Sequence, residues 1–201
     1  MIREARYHFY RWLARALWRP FGGLDIRGLE NVPTSGAFLA IANHQSFLDA
    51  IFVQAACPRI VHAMAKSTQF ASPLFRRIMS QLWVFPVRRF EVDPQAVRQV
   101  LRRLNSGNGV LIYIEGERSW DGQLQSPRLG TVRVALKAGV PIVPIRVDGS
   151  YEAWPRWDRK IKRQRIRIEF REPLQLPRLD TRAEREAAVM DAADRIMAAL
   201  R

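Results

Sequence analysis

Cysteine is nearly absent from this chain, which has 201 residues and a single thiol, Cys57. An intrachain disulfide is therefore excluded, in keeping with a reducing compartment. The surrounding segment QAACPR at 54–59 is typical of the end of a buried helix. We therefore interpret Cys57 as a buried thiol and not as a catalytic nucleophile.

Long apolar runs are also missing. The purest apolar stretches, residues 37–42 and 109–114, have the length of strands, whereas a membrane-spanning helix needs about 20 apolar residues. Residues 1–20 are too rich in arginine for a secretory signal, which needs an uninterrupted apolar centre. We therefore expect a protein that is neither integral to a membrane nor secreted, and that meets a membrane only from the side.

Close groups of metal ligands are absent too. The three histidines, His8, His44 and His62, are scattered and share no short spacing with acidic residues, so no metal site is predicted. Acidic residues are outnumbered, with 19 Asp and Glu against 33 Lys and Arg, which gives a net charge of +14. Such an excess predicts an anionic partner, and composition alone leaves nucleic acid, a lipid surface and an acidic protein open.

What the chain does have is alternation. Short aliphatic runs lie near 37–42, 60–64, 83–87, 109–114, 141–147 and 165–170. Between most of them come stretches with helical spacing, near 47–57, 70–81, 93–105 and 128–138. Thr181 and Glu184 form a T-x-x-E capping box that predicts a last helix to about residue 200. Strands that alternate with helices predict a single α/β domain with a largely parallel sheet and helices on both faces.

The N-terminal segment, residues 1–22, is treated as an amphipathic helix that precedes a domain at 23–201. Basic residues share one narrow stripe of this helix: His8, Arg11, Arg15 and Arg19. Much of the remaining surface is aromatic or aliphatic: Phe9, Trp12, Leu13, Ala16 and Trp18. This composition favours an interfacial membrane helix with its cations among lipid phosphates. A helix packed on the domain surface, with its charges in water, is the alternative.

The first candidate site is the segment ANHQSFLD at 42–49. His44 follows the predicted strand 37–42, and ligands bind at the carboxyl edge of open α/β sheets. If His44 lies in the loop and Asp49 in the first turns of the next helix, the carboxylate reaches back to one ring nitrogen and leaves the other to act as a base. For a lone histidine, a structural or solvated side chain is the alternative.

A second polar cluster follows another predicted strand, in IYIEGERS at 112–119. Glu115, Glu117 and Arg118 surround Gly116, where the backbone can approach a ligand closely. Taken alone, this segment favours a polar turn with a local ion pair.

Both clusters belong to a longer ordered series of segments: NHxxxxD at 43–49, AKSTQFASP at 65–73, FPVRR at 85–89, IEGERS at 114–119 and GVPIVPI at 139–145. In this order and at these spacings, the chain resembles the PlsC-type family of 1-acyl-sn-glycerol-3-phosphate acyltransferases, also called lysophosphatidic acid acyltransferases. The resemblance extends from IRGLENVP at 26–33 to about residue 149.

This resemblance implies roles for particular residues. His44 corresponds to the family's general base and Asp49 to the acid that orients it. The acceptor would be bound by residues from three separate segments: Lys66, Arg89, Glu115, Gly116 and Arg118. Pro141 corresponds to the proline of the last, largely apolar segment.

The implied reaction transfers a fatty acyl group from acyl-CoA or acyl carrier protein, as co-substrate, to the sn-2 hydroxyl of 1-acyl-glycerol-3-phosphate, without a bound cofactor. When a hydroxyl attacks a thioester, a base must remove its proton, and a histidine with a pKa near neutrality can do so. A net charge of +14 would attract either donor, because CoA is polyanionic and acyl carrier protein is acidic. We expect a peripheral protein at the cytoplasmic face of the inner membrane, in contact with anionic lipids.

Departures from the family pattern keep a second acceptor open. The third block is commonly FPEGTRS, and this chain has Ile114 in place of proline and Glu117 in place of threonine. Arg88 stands where an aspartate is more usual. An extra carboxylate beside a phosphate site disfavours a phosphate monoester, so the alternative acceptor is another lyso-lipid, such as a lyso-ornithine lipid or a lysophospholipid with a larger headgroup.

A nucleic-acid-binding protein is the alternative from another class. Residues 156–171 contain eight basic and two acidic side chains, with Trp154 and Trp157 beside or among them. Basic residues interleaved with aromatics line single-strand binding grooves. However, the sequence signatures of common nucleic-acid-binding folds are missing, and the alternation at 165–171 is that of a half-buried strand with a solvated face.

Overall fold

The computed structural model describes residues 2–88 and 93–201, except for the side chains of Ile2 and Arg3. Its sheet has seven strands: β1 (Leu24–Arg27), β2 (Phe38–Ala42), β3 (Val61–Lys66), β4 (Val84–Val87), β5 (Gly109–Tyr113), β6 (Ile142–Asp148) and β7 (Ile166–Phe170). They lie in the order β1-β7-β6-β2-β5-β3-β4. Every neighbouring pair is parallel except β6 and β7, which are antiparallel. The predicted α/β class and largely parallel sheet are confirmed.

The helices are α1 (Ile2–Trp18), α2 (Asp49–Ala56), α3 (Pro73–Gln81), α4 (Pro94–Asn105), α5 (Leu129–Ala138), α6 (Ser150–Ala153), α7 (Arg182–Ala187) and α8 (Val189–Leu200). The capping box is formed as predicted, because the Thr181 hydroxyl accepts from the backbone N–H of Glu184 and the Glu184 carboxylate accepts from that of Thr181. The single last helix of the prediction is two helices, which meet at Ala188.

Both faces of the sheet are covered, which is why its central strands are continuous apolar runs and not alternating ones. All five residues of β2 are buried. Phe38, Ala40 and Ala42 belong to the core beneath α2, whereas Leu39 and Ile41 belong to the core beneath α4, α5 and α8. The strand that leads to His44 is therefore fixed from both sides.

Helix α1 packs on the domain through its polar stripe, which differs from the prediction. Arg11 and Arg15 donate to the carbonyl oxygens of Ala55 and Ala56 at 2.9–3.2 Å. The last carbonyls of a helix lack intrahelical partners and attract cations, so these two arginines bind the end of α2 and not lipid phosphates.

The apolar stripe of α1 divides between core and solvent. Tyr7 and Trp18 are buried, and the ring centroids of Trp18 and Phe52 are 4.8 Å apart. Large side chains on the outer face are exposed: Phe9 at 62%, Trp12 at 63%, Leu13 at 37% and Leu17 at 64%. Among the described residues, no helix has the length and hydrophobicity needed to cross a bilayer.

Candidate active site

Three adjacent strands bring the predicted site segments to one edge of the sheet. Ala42 of β2 is paired with Tyr113 of β5, and β3, on the other side of β5, continues to Lys66. His44 and Glu115 each lie two residues beyond those paired positions. The segments therefore meet at the carboxyl edge of the sheet, as predicted.

His44 and Asp49 form a buried hydrogen-bonded pair. Asp49 is the first residue of α2, and its Oδ2 lies 2.8 Å from Nδ1 of His44. The same oxygen accepts from the backbone N–H groups of Gln45 at 2.7 Å and Ser46 at 2.8 Å. An ionised carboxylate can only accept, so the geometry assigns the ring proton to Nδ1 and the basic lone pair to Nε2. This is the arrangement expected for a loop histidine and a carboxylate in the first helical turn.

Tyr113, the last residue of β5, covers one face of the His44 ring. The two rings are stacked, with centroids 3.8 Å apart and planes inclined by 10°. His44 is itself 5% exposed. The imidazole is therefore held by a hydrogen bond at its edge and an aromatic ring on its face.

The Glu115 carboxylate ties two loops together. One oxygen accepts from the backbone N–H of His44 at 2.5 Å, and the other from that of Gln125 at 2.9 Å. Burial raises the pKa of Glu115 to about 7, although the two hydrogen bonds act in the opposite direction. These contacts fix the position of His44, and the phosphate-binding role that the resemblance implies for Glu115 stays a prediction.

Gly116 has a left-handed backbone conformation, which favours glycine, and any larger residue would also have to displace the Arg128 side chain. The φ of Gly116 is +71°, and a Cβ atom there would lie 2.4 Å from Cδ of Arg128. Next to it, Arg118 is half-buried, and the backbone N–H of Ser119 donates to the carbonyl oxygen of His44 at 2.7 Å. The segment 115–119 is thus bonded directly to the loop that carries His44.

The remaining predicted residues are less closely connected to His44. Lys66 is exposed at the end of β3, at the same sheet edge. Arg89 lies outside the described residues, and its neighbour Arg88 is exposed.

A cavity of about 560 Å³ opens beside the site between α4 and α5. Tyr113 and Gly116 line it at the site end. Its other apolar lining includes Met64, Val97, Val100, Ile112 and Val134. Exposed basic residues also line it: Arg88, Arg128, Arg133, Lys137 and Arg182. Its size and apolar lining are those of a ligand pocket.

Sequence reasoning missed three residues of this region: Tyr113, Arg128 and Arg156. Tyr113 belongs to the predicted strand 109–114, and in the structure it ends β5, two residues before Glu115. Arg128 precedes α5 and carries no spacing signal. Arg156, whose Nη1 donates to the carbonyl oxygen of Arg118, belongs to the basic segment 156–171, where nothing in the sequence distinguishes it from the other cations.

The second half of that basic segment is a half-buried strand. In β7, Ile166, Ile168 and Phe170 are buried, whereas Arg167 is exposed. The strand pairs with β1 on one side and β6 on the other. The prediction of a half-buried strand is confirmed.

Comparison with known proteins adds a family to this geometry. Residues 23–148 match the family model described as Acyltransferase. The chain is 34% identical over 160 residues to a chloroplastic 1-acyl-sn-glycerol-3-phosphate acyltransferase of Brassica napus, covering 75% of this chain and 45% of that protein. It is 28% identical over 130 residues to the 1-acyl-sn-glycerol-3-phosphate acyltransferase of Bacillus subtilis, covering 64% of each. The chain thus spans about half to two thirds of the length of these relatives.

A solved structure has the same fold. The 1-acyl-sn-glycerophosphate acyltransferase PlsC of Thermotoga maritima superposes with a TM-score of 0.74 at 21% identity, over 94% of this chain and 77% of that one. The matched residues 23–148 contain the His44–Asp49 pair and the segment 115–119. By this match the chain belongs to the acyltransferase family.

Proposed function

We propose that this chain transfers a fatty acyl group from an acyl thioester to the sn-2 hydroxyl of 1-acyl-glycerol-3-phosphate. The observation that carries the proposal is the buried pair of His44 and Asp49, with 2.8 Å between Nδ1 and Oδ2, next to an apolar cavity. Relatives named for this reaction support the choice of acceptor.

In the proposed reaction, Nε2 of His44 accepts the proton of the acceptor hydroxyl while its oxygen attacks the thioester carbonyl. The new carbon–oxygen bond gives a tetrahedral oxyanion, which collapses as the carbon–sulfur bond breaks. The imidazolium then returns the proton to the departing thiolate. Asp49 stabilises the imidazolium formed in between and keeps the ring in the tautomer that the first step needs. No protein nucleophile takes part.

The cavity between α4 and α5 supports an apolar acyl chain as one substrate. Its apolar side chains offer no hydrogen bonds, and Tyr113 both lines the cavity and contacts His44. A chain lying there would place its carboxyl end beside the imidazole. The exposed arginines and lysine along the lining suit the anionic part of a lipid or of a thioester donor. The donor class is an acyl thioester, either acyl-CoA or acyl carrier protein.

A lipid acceptor must be collected from a bilayer, and we propose that α1 and α3 contact it. The outer face of α1 exposes Phe9, Trp12, Leu13 and Leu17, and α3 exposes Leu74, Phe75 and Ile78. The helices are neighbours, because Arg6 donates to Gln81 and lies over the ring of Trp83. The net charge of +14 favours an anionic membrane surface. The proposal places the protein peripherally, on the cytoplasmic face of the membrane.

The test is an assay of purified protein with a panel of lyso-lipids presented in vesicles, each with acyl-CoA and acyl carrier protein as donors, and with products identified by mass. We expect phosphatidic acid from lysophosphatidic acid, and its loss in His44→Ala. Acylation of a lyso-ornithine lipid or of a lysophospholipid with a larger headgroup, and not of lysophosphatidic acid, would replace the acceptor. Absence of acyl transfer to every lyso-lipid would refute the proposal.

A further inference from the structure

Arg156 lies in the loop between α6 and β7, outside every segment that carries the family resemblance. Its Nη1 donates to the carbonyl oxygen of Arg118 at 2.9 Å and lies 3.4 Å from Oε2 of Glu117. Its guanidinium carbon lies 3.6 Å from the centroid of the Trp120 ring. One side chain thus contacts three of the four residues from 117 to 120.

Two tryptophans hold this guanidinium in place. Trp120 and Trp157 stack with centroids 5.1 Å apart and planes inclined by 27°, although they are 55% and 51% exposed. Arg156 lies over both rings. A planar guanidinium stacked on aromatic rings keeps its donors in a fixed direction, which an ammonium group would not do.

The loop that Arg156 contacts and the loop that carries Arg156 are both anchored to the residues around His44. The backbone N–H of Ser119 donates to the His44 carbonyl, the Gln45 amide donates to the carbonyl of Gly122, and the Ser46 hydroxyl donates to that of Trp154. These three bonds measure 2.7, 2.7 and 2.8 Å. The loop that Arg156 contacts therefore adjoins His44, the proposed base, and we take the headgroup of an acceptor whose hydroxyl reaches His44 to lie beside it.

Glu117 is a difficulty for an anionic headgroup at that place. A carboxylate near a phosphate repels it, and the repulsion is stronger when both are partly removed from water. The side chains of Glu117 and Arg156 are 33% and 21% exposed, so the pair is only partly screened. The positive charge of Arg156 offsets the negative charge of Glu117 at this loop.

We infer that Arg156 is a positioning residue of the acceptor site: it neutralises Glu117 and fixes the backbone at 117–120, so that the site admits an anionic headgroup. The inference rests on the proposed function, because it concerns the acceptor of that reaction. It also gives Glu117 a structural role, because its ion pair with Arg156 connects two loops at the mouth of the site.

The test is a double-mutant cycle of Arg156→Gln and Glu117→Thr, with lysophosphatidic acid and acyl thioester varied separately in mixed micelles. Arg156→Gln should raise the KM for lysophosphatidic acid about tenfold, because the charge of Glu117 is then left uncompensated beside the anionic headgroup. Two other constants, kcat and the KM for the thioester, should change by less than about twofold. The reason is that Arg156 contacts residues 117–120, which we assign to the acceptor. Arg159→Gln, which removes an exposed cation from the same loop, is the control and should leave all three constants unchanged.

The double variant decides the mechanism. With both charges removed, the KM for lysophosphatidic acid should return to within about threefold of the wild-type value, because the repulsion is gone. If Arg156 instead binds the phosphate itself, or only stabilises the fold, Glu117→Thr will not rescue Arg156→Gln and the inference is wrong. Arg156→Lys keeps the charge and should fall between wild type and Arg156→Gln. A wild-type protein that turns over no lysophosphatidic acid would overturn the proposed function and this inference together, whereas an active wild type with an unaltered Arg156→Gln KM would overturn the inference alone.

Discussion

Tyr113 and His44 lie ring against ring, with centroids 3.8 Å apart and planes inclined by 10°. The hydrogen bond to Asp49 fixes the ring only at Nδ1, and by itself it allows the imidazole to rotate about that bond. The stack removes this freedom and directs Nε2 toward one place at the sheet edge. In the proposed reaction, a base held in this direction needs no reorientation when substrate arrives.

The first prediction concerns this stack. Tyr113→Phe keeps the ring and should leave kcat within about threefold of wild type, whereas Tyr113→Leu should lower kcat at least about tenfold, because a misdirected base loses much of its effect. The measurement is steady-state kcat at saturating acceptor and thioester. Thermal unfolding of both variants is the control for folding. Unchanged kcat in a folded Tyr113→Leu protein would show that the stack does not orient His44.

The second prediction concerns the pair itself. His44→Ala should reduce turnover at least about 10²-fold, the usual contribution of a positioned general base. Asp49→Asn should also impair turnover, because an amide cannot stabilise the imidazolium as a carboxylate does. His8→Ala, which removes an exposed histidine of α1, is the matched control. A folded His44→Ala protein with wild-type turnover would end the mechanism.

The third prediction separates the two faces of α1. Changing Phe9, Trp12 and Leu17 to serine should weaken binding to anionic vesicles at least about tenfold, since each large apolar side chain contributes about 1.5–3 kcal/mol when fully removed from water. The melting temperature should hardly change, because these side chains are exposed. Arg11→Gln with Arg15→Gln should instead lower the melting temperature, because both arginines bind the end of α2. Co-sedimentation and thermal unfolding measure the two effects.

These substitutions test α1 better than its deletion does. Removing the helix would also remove Tyr7 and Trp18, which are buried, and would expose Phe52. A truncated protein that failed to bind vesicles could therefore simply be unfolded. Equal vesicle binding by the triple serine variant and the wild type would show that α1 only covers the domain.

Local patterns in the sequence predicted what depends on local structure. The pair of His44 and Asp49 was predictable because five residues, a strand end and a helix start determine where both side chains lie. The inner strands were predictable because both of their faces are buried, so their apolar runs are continuous. Strand β1 was missed because its four residues, LDIR, alternate with charges and none is fully buried.

Long-range contacts were not predictable in the same way. The contact of Arg156 with Glu117 depends on the paths of two loops that are 39 residues apart in the chain. The amphipathic pattern of α1 predicted a helix, but it placed the arginines on the outer face, whereas Arg11 and Arg15 pack against the domain. Which face packs inward depends on where α2 ends, since its last carbonyls draw Arg11 and Arg15 onto the domain.

The fourth prediction concerns the cavity between α4 and α5. Val134 of α5 lines it and is half-buried, so Val134→Phe should shorten the space available to an acyl chain. For Val134→Phe we expect the kcat/KM for long acyl thioesters, divided by that for short ones, to fall about tenfold. The reason is that the cavity no longer accommodates the last one or two methylene groups of a long chain. Val134→Ala should change the ratio in the opposite direction. Identical ratios for both variants and the wild type would show that the acyl chain lies elsewhere.

The fifth prediction concerns the pH dependence of stability. The pKa of Glu115 is about 7 in the folded protein because burial disfavours its charged form, against an ordinary value of 4.5. The folded state therefore binds more protons than the unfolded state between these values, and stability falls as pH rises from about 4.5 to about 7. The loss attributable to Glu115 is at most roughly 3–4 kcal/mol, and it is complete above the folded pKa.

The comparison of wild type with Glu115→Gln isolates this contribution, because a glutamine does not titrate. Several other carboxyls have a lowered pKa and so titrate below the window: Asp25, Asp93, Asp121, Asp158, Glu184 and Glu186. Glu115→Gln should be less stable at pH 5, since its amide offers only one acceptor to the two N–H donors that Glu115 binds. Its free energy of unfolding, measured with urea, should then change less between pH 5 and pH 8 than that of the wild type. Parallel curves for the two proteins would mean that Glu115 stays ionised in the fold, held by its bonds to His44 and Gln125 despite its burial.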